Sequence, residues 1–448
     1  MKRLIATTCL IAVSAAAWGQ AQRKPVAPAA RPAPGVSAVA QAAALPTTQA
    51  LLDGYVRSRK MPGVAAAFGF GDRATQFVSA GRIAQGPTAP AAGPDSLWRV
   101  YSMTKPITGM AAMILVEEGK LKLDQPISDF FPGFKTMTVA TSPETSLAGV
   151  PAKAQITVRN LLTHTAGLSY NINAKGAMLK EYERLGLLPA AVNTQMEAQM
   201  RAVRPKTLAE FAERVAKVPL IAEPGTTWSY SIGLDVMGAV IEKASGMPFD
   251  TFVQTRIFAP LKMTSSYWTV PASAASRLAT NYAFVGENLT PVDPGATSVW
   301  LQTPSFPYGG AGLVMSARDY DRFLQMLQNY GSFDGVTIMK PETARLAMSN
   351  LLPSGVTFGG VAGGTGGTNA SVPMGFGAGG SVYLADKPNG PGKGTYGWGG
   401  AAGTFAFVDP ARQTRGTVMV NYFPSDKWPT RAEIPAAVMQ DVARMRAR

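Results

Sequence analysis

Two residue types that build many enzyme active sites are almost missing from this chain. Its 448 residues include one cysteine, Cys9, and one histidine, His164. A disulfide within the chain needs two cysteines, and a zinc site of Cys and His ligands needs several such side chains, so both are excluded. A Ser-His-Asp triad would have to use His164. The G-x-S-x-G elbow that carries the serine in one large class of such enzymes is absent.

Acidic residues are also scarce, with 28 Asp plus Glu against 42 Lys plus Arg and a net charge of +14. A net charge this basic can indicate binding to nucleic acids or to anionic surfaces. Here the basic residues are scattered, with no run of five and no finger motif. The glycine-rich stretch 353–380 lacks the phosphate-binding pattern G-x-x-x-x-G-K-[ST]. The composition therefore predicts a solvated basic surface and no nucleic-acid partner.

The first residues have the order of an export signal. Two basic residues precede an apolar stretch, and small residues that suit cleavage follow it, so residues 1–19 are predicted to be a signal peptide. Residues 20–45 are rich in Ala and Pro and predict a flexible linker. We expect an exported bacterial protein, periplasmic or secreted, that loses Cys9 with its signal. Later apolar runs are too short to span a bilayer, which predicts no stable membrane insertion after cleavage.

The rest of the chain, 46–448, is predicted to be one domain of the α+β class. Strand patterns occur near both ends, at 63–70, 75–80, 396–408 and 414–422, and helix patterns fill the middle, for example 107–118, 158–164, 207–218 and 234–244. Two more helices are predicted at 317–329 and 432–447. This order predicts an antiparallel sheet built from both chain ends and flanked by helices. The sheet part would cover about 46–100 and 290–448, and an inserted, mainly helical lobe about 101–289.

Ser102 and Lys105 stand three residues apart in YSMTKP, at the start of the strongest helix pattern. Pro106 fits only the first turn of a helix, so the helix must begin close to Ser102. The two side chains would then be neighbours on one face, where the lysine ammonium and the helix N-terminus both favour a serine alkoxide. S-x-x-K is the pattern of acyl enzymes that work without histidine. By itself it also fits a helix-capping serine followed by a surface lysine.

Two further motifs could complete such a site. Tyr230 lies in PGTTWSYS just before a helix, and a phenol beside a cationic lysine can act as a general base. A packed tyrosine with one hydrogen bond is the alternative. In GWGGAAGT, the glycines would let a substrate approach the backbone, and the N–H groups of Ala401 and Ser102 could form an oxyanion hole. A glycine-rich sheet edge is the alternative there.

Together these motifs resemble the serine β-lactamase-like superfamily, and most closely the family VIII carboxylesterases, which are related to class C β-lactamases and DD-peptidases. The resemblance rests on YSMTKP (101–106), LLTHTAGL (161–168), PGTTWSYS (224–231), DVMGAVIEKASG (235–246), GGAGLVMSARDYDRF (309–323) and GWGGAAGT (397–404). It implies a β-lactamase-like serine hydrolase fold over most of the chain.

By resemblance, Ser102 is the acylated nucleophile, Lys105 its partner in proton transfer and Tyr230 the general base. Trp398, Gly399 and Gly400 would line the substrate cleft. Two substrate-binding positions depart from the class C pattern, because Ile232 replaces an amide-binding Asn and Trp398 replaces a carboxylate-binding Lys. Both changes predict neutral ester substrates, since a charge-assisted contact is lost.

The predicted activity is therefore hydrolysis of small carboxylic esters through an acyl-enzyme, with no metal or cofactor. A β-lactamase or D-amino peptidase on the same fold remains an alternative, as does a non-catalytic cell-wall-binding protein. We interpret His164 as structural, and Asp235 and Glu242 as surface or packing groups. The sequence leaves the oligomeric state open.

Overall fold

The computed structural model describes residues 45–358, 372–388 and 390–446. The predicted signal peptide, the linker up to residue 44 and the middle of the glycine-rich stretch lie outside the described residues. Leu45 is fully buried, and the first helix begins directly after it.

The strands of the described residues are, in chain order, β1 (Gly63–Phe70), β2 (Gln76–Gly81), β3 (Leu97–Arg99), β4 (Thr138–Ala140), β5 (Gly149–Pro151), β6 (Ser266–Tyr267), β7 (Asn281–Val285), β8 (Asn288–Asp293), β9 (Val314–Ser316), β10 (Ser332–Phe333), β11 (Val336–Thr337), β12 (Met374–Phe376), β13 (Ser381–Tyr383), β14 (Tyr396–Gly399), β15 (Phe405–Asp409), β16 (Thr414–Met419) and β17 (Tyr422–Phe423).

The α-helices are α1 (Pro46–Arg57), α2 (Thr104–Glu117), α3 (Val158–Leu162), α4 (Gly176–Arg184), α5 (Thr194–Met200), α6 (Leu208–Val215), α7 (Gly233–Ser245), α8 (Phe249–Val253), α9 (Ala317–Gln328), α10 (Pro341–Ala347) and α11 (Thr430–Arg446). A π-helical turn, Gln254–Phe258, continues α8, and short 3-10 turns include Tyr101–Met103, directly before α2.

The main sheet has seven strands in the order β12-β13-β14-β15-β16-β1-β2, and all neighbours in it are antiparallel. β1 from the start of the chain pairs with β16 near its end, with Ala65 opposite Met419. The predicted α+β class, with a sheet built from both chain ends, is confirmed.

Helices cover both faces of this sheet, and β1 shows how its residues are divided between them. Val64, Ala66 and Phe68 belong to a core that also contains residues of α1 and α11. Ala65 and Ala67 belong to the larger core shared with α2, α7 and α9. Successive side chains of a strand point to opposite faces, so a strand covered on both sides reads as a continuous apolar run.

The central helix, α2, carries the candidate nucleophile at its entrance. Every residue from Thr104 to Leu115 is buried, which is typical of a helix surrounded by core on all sides. Pro106 is the third residue of α2 and lies in its first turn, as the sequence requires. α7 packs against α2 and ends at Gly246, whose φ of 72° suits a glycine C-cap.

One strand prediction was wrong. The alternating pattern at 396–408 forms two strands, β14 and β15, joined by a tight turn at 400–404. The Gly400 N–H donates to Thr404 O at 2.8 Å, and Gly403 has a φ of 92° that glycine adopts without strain. The turn reverses the chain beside the start of α2, which matters for the site below.

In the part of the chain that the structure describes, no helix has the length and apolarity needed to cross a membrane. The same residues hold no group of three or more His, Cys, Asp or Glu side chains arranged to bind a metal ion.

Candidate active site

Ser102 lies in a strained backbone turn between β3 and α2. The preceding residue, Tyr101, has a φ of 42°, in the left-handed region that residues other than glycine rarely adopt. Its conformation is held by burial and by a hydrogen bond of 3.0 Å from Asn281 Nδ2 to its hydroxyl. Ser102 keeps 9% of its surface exposed, so its hydroxyl sits at the edge of the core. Strain of this kind persists only where the surroundings impose it, and it clusters at functional sites.

Lys105 lies one turn further along, and its side chain is completely buried. Its Nζ donates to Ser102 Oγ at 3.2 Å and to Gly310 O at 2.8 Å. The ammonium also lies 4.6 Å from the ring centre of Tyr230 and 5.6 Å from that of Tyr170. A surface lysine next to a capping serine is therefore ruled out as the meaning of S-x-x-K here.

The segment 309–313 forms a backbone cradle for the start of α2. Thr108 Oγ1 donates to Gly309 O at 2.6 Å, and Thr104 Oγ1 accepts the Leu313 N–H at 3.1 Å. A Cβ on Gly309 would lie 2.4 Å from Leu234 O, so that position has no room for a side chain. Sequence reasoning assigned GGAGL no role. Its adjacent glycines were the available signal for such a close backbone approach.

Tyr230 faces Ser102 from the opposite side. The two side-chain oxygens are 2.7 Å apart, and Tyr230 is half-buried. We expected the lysine ammonium to lie beside the phenol oxygen. Instead, within the described residues Lys105 contacts Tyr230 over its ring, and the Ser102 hydroxyl links the two groups. The three predicted residues are thus brought together, although their arrangement has serine in the middle.

The turn that carries Ala401 packs against the backbone just before Ser102. The glycine at position 400 is required, because a Cβ there would lie 2.3 Å from Val100 O, just before Ser102. Within the described part of the chain, the N–H groups of Ser102 and Ala401 donate no hydrogen bond to another protein group. Arg431 at the start of α11 donates to Gly400 O at 3.0 Å and to Thr404 O at 3.2 Å, which fixes the turn that carries Ala401.

The geometry can be compared with known proteins. A family model described as Beta-lactamase matches residues 48–439. The chain belongs to the Beta-lactamase family. Protein Rv1367c of Mycobacterium tuberculosis (strain ATCC 25618 / H37Rv) is 31% identical to it over 331 residues, which cover 71% of this chain and 75% of the relative. Esterase EstB of Burkholderia gladioli is 30% identical over 340 residues, with the same coverage of 71% and 75%.

A solved structure shares the fold. EstCE1, described as a hydrolase with promiscuous acyltransferase activity, has a TM-score of 0.70 at 24% sequence identity, covering 89% of this chain and 98% of EstCE1. The resemblance inferred from the motifs and the β-lactamase-like α+β fold are both confirmed.

The two positions that depart from the class C β-lactamase pattern have different surroundings. Trp398 is 2% exposed and packs among Phe358, Phe376 and Tyr230, with its indole Nε1 3.4 Å from the Tyr230 oxygen. The Ile232 side chain is fully buried at the start of α7 and does not reach solvent. Gly399 is the buried last residue of β14.

His164 is a neighbour of the Tyr230 ring and does not contact the Ser102 hydroxyl. It is fully buried, its ring centre lies 4.8 Å from that of Tyr230, and its Nδ1 lies 2.9 Å from Ser231 Oγ. Burial, with a smaller effect from Lys105, holds the pKa of His164 well below its usual range. Among the described residues, the side chains that hydrogen-bond the Ser102 hydroxyl are Lys105 and Tyr230, so no Ser-His pair forms.

Asp235 was interpreted from the sequence as a surface or packing group, and the surface interpretation was wrong. It is fully buried, and its Oδ1 accepts the Gly310 N–H at 2.8 Å. Its Oδ2 has no hydrogen-bond partner among the described residues. Burial raises the pKa of Asp235 to about 7, against the opposing effect of Lys105. The sequence signal was weak, because an Asp in the first turn of a helix usually serves the helix dipole.

Proposed function

We propose that this chain is a serine esterase that hydrolyses small, uncharged carboxylic esters through an acyl-enzyme on Ser102. The observation that carries the proposal is the position of Ser102 Oγ, 2.7 Å from the Tyr230 oxygen and 3.2 Å from Lys105 Nζ. A nucleophilic serine needs a base within hydrogen-bond reach and a cation that favours its alkoxide, and the distances suit Tyr230 and Lys105 for these two roles.

In the proposed reaction, Ser102 attacks the ester carbonyl and its proton passes to Tyr230. The Lys105 ammonium favours the anionic forms of both oxygens. The carbonyl oxygen, now an anion, is stabilised by the N–H groups of Ser102 and Ala401. Tyr230 returns the proton to the departing alcohol, and a water molecule activated by the same residue then releases the acid.

Ester rather than β-lactam substrates are favoured by the surroundings of Tyr230. Trp398 and its aromatic neighbours supply apolar surface where a class C β-lactamase would have a lysine for a substrate carboxylate. Without that charge-assisted contact, binding of a carboxylate-bearing lactam should be weaker by about 1.5–3 kcal/mol. EstB, at 30% identity, is named an esterase, which supports the same substrate class.

The test is turnover of p-nitrophenyl butyrate and of nitrocefin by wild-type protein and by Ser102→Ala. We expect the ester to be the better substrate by kcat/KM, and we expect Ser102→Ala to abolish its hydrolysis and labelling by a fluorophosphonate. The variant should stay folded, since no side-chain cap hydrogen bond from Ser102 holds α2. Better turnover of nitrocefin would favour the β-lactamase alternative. Loss of labelling and turnover in wild type as well would favour a non-catalytic binding protein.

A further inference from the structure

Gly310 is held from both sides by charged side chains that come from different helices. Its carbonyl accepts Lys105 Nζ at 2.8 Å, and its N–H donates to Asp235 Oδ1 at 2.8 Å. The contact with Asp235 is tight, because a Cβ on Gly310 would lie 2.5 Å from Asp235 Oδ2. The backbone of one glycine therefore separates a buried carboxyl group from the buried ammonium that contacts the nucleophile.

Lys105 forms no ion pair among the described residues, although it is completely buried. A buried ammonium without a compensating charge is costly, so a nearby carboxylate acts strongly on it. Asp235 is the carboxyl group that faces it. The titratable groups around Asp235 are Lys105 from α2, Tyr170 from the loop after α3 and Tyr308 from the segment before Gly310. Lys105 is the cation in this set.

We infer that Asp235 is a positioning residue of the site: it anchors Gly310 so that its carbonyl holds the Lys105 ammonium against Ser102, and in its ionised form it stabilises the charge of that ammonium. The inference rests on the proposed function only in assigning a role to Lys105. It explains why the GGAGL segment carries glycine at 310, since a larger residue would displace the carboxyl group.

The test is the pH profile of kcat/KM for p-nitrophenyl butyrate in wild type, in Asp235→Asn and in the control Asp319→Asn. Asn keeps an oxygen that accepts the Gly310 N–H but removes the charge. The alkaline limb of the Asp235→Asn profile should move to lower pH by about one unit, the lower end of shifts caused by one nearby charge, because a negative charge close to Ser102, Lys105 and Tyr230 is lost. Asp319 is also a buried carboxyl group with a pKa raised by burial, but it bonds Ser265 and Ser266 and should leave the profile in place.

Gly310→Ala provides a second variant should Asp235→Asn not fold. The added methyl group must push the carboxyl group away from the amide without removing its charge, and the Gly310 backbone is not in the left-handed region. We expect kcat to fall by about tenfold or more with KM little changed, because a displaced catalytic group costs rate rather than binding. A profile of Asp235→Asn that superposes on wild type, or an unchanged kcat in Gly310→Ala, would overturn the inference.

The pH dependence of fluorophosphonate labelling separates this inference from the proposed function. Labelling reports the reactivity of Ser102 and needs no ester substrate. A wild-type protein that labels but cleaves no ester would defeat the proposed function, while the same alkaline shift of labelling in Asp235→Asn would still support the inference. Ester cleavage by wild type with no shift of labelling in Asp235→Asn would support the function and defeat the inference.

Discussion

Two buried combinations of a basic and an acidic side chain lie close to Ser102, and they are built in opposite ways. Arg99, three residues before Ser102, contacts Asp293 directly, with 2.9 Å from Nε to Oδ2. Its other nitrogens donate to Ala279 O, Asp293 O and Ser298 Oγ. Lys105, three residues after Ser102, makes no direct contact with Asp235, and one carboxyl oxygen of Asp235 has no partner among the described residues.

The difference separates an ion pair that joins elements of the fold from a lysine and a carboxyl group that meet only through the Gly310 backbone. Arg99 joins β3 to the end of β8 and to the chain before β7, and all three of its guanidinium nitrogens are hydrogen-bonded. A buried pair of this kind fixes the arrangement of the elements it joins, and breaking it leaves an uncompensated charge. The Lys105–Asp235 pair is incomplete, because the ammonium donates to Ser102 Oγ and Gly310 O and not to the carboxyl group.

The largest effect is expected from breaking the saturated pair. Arg99→Met should lower the free energy of unfolding by about 3–5 kcal/mol, because Asp293 is left buried and unpaired. Arg318→Met removes the basic partner of the exposed ion pair with Asp95 and should lower the free energy of unfolding by less than about 1 kcal/mol. Urea unfolding of both variants gives the comparison, and equal losses would show that the Arg99 pair is no more structural than a surface contact.

The second effect concerns activity and tests whether Lys105 and Tyr230 work as one unit. Tyr230→Phe and Lys105→Ala should each lower kcat/KM for a p-nitrophenyl ester by about 10²-fold or more, the usual scale for loss of a general base. The double variant should be little worse than either single one, since residues that act together are not additive. Simple additivity, or a Tyr230→Phe enzyme near the wild-type rate, would reduce Tyr230 to a packed aromatic residue.

The third prediction concerns how the stability of the protein depends on the ionisation of Asp235, the acidic member of the incomplete pair. The pKa of Asp235 is about 7 in the folded protein, above the usual value of 3.8, so the folded state holds this proton more tightly than the unfolded state. Wild type should therefore lose stability relative to Asp235→Asn as pH rises from about 4 to about 7, by a few kcal/mol, and the difference should stay level above pH 7. Thermal unfolding across this range measures it. Parallel curves for the two proteins would contradict a raised pKa.

The smallest effect on catalysis is expected at His164. His164→Ala removes a ring that packs against Tyr230 and should destabilise the fold by about 2–3 kcal/mol through the cavity it leaves. Because His164 does not bond Ser102, the activity of the folded variant should exceed that of Ser102→Ala by orders of magnitude. A loss of kcat/KM as complete as that of Ser102→Ala would restore a histidine-based mechanism.

Local sequence determined the parts of this protein that depend on neighbours along the chain. Pro106 and the S-x-x-K spacing placed Ser102 and Lys105 at a helix entrance, and the helix pattern at 234–244 matches α7 to within one residue at each end. These features follow from helix geometry, which repeats over three or four residues. The antiparallel sheet built from both chain ends was also predicted, from the positions of the strand patterns, but the order of its strands was not. The turn at 400–404 was missed because its glycines also suit a strand that lies against a substrate.

Tertiary structure alone decided the surroundings of the reactive groups. Lys105 and Gly310 are 205 positions apart, and Asp235 and Gly310 are 75 apart, so no local pattern joins them. Their meeting depends on how α2 and α7 pack and on the absence of side chains at 309 and 310. The same packing placed the ammonium over the Tyr230 ring and His164 beside that ring. Spacing along a helix fixes which residues share a face, but only the packed core determines which charges that face meets and how completely water is removed from them.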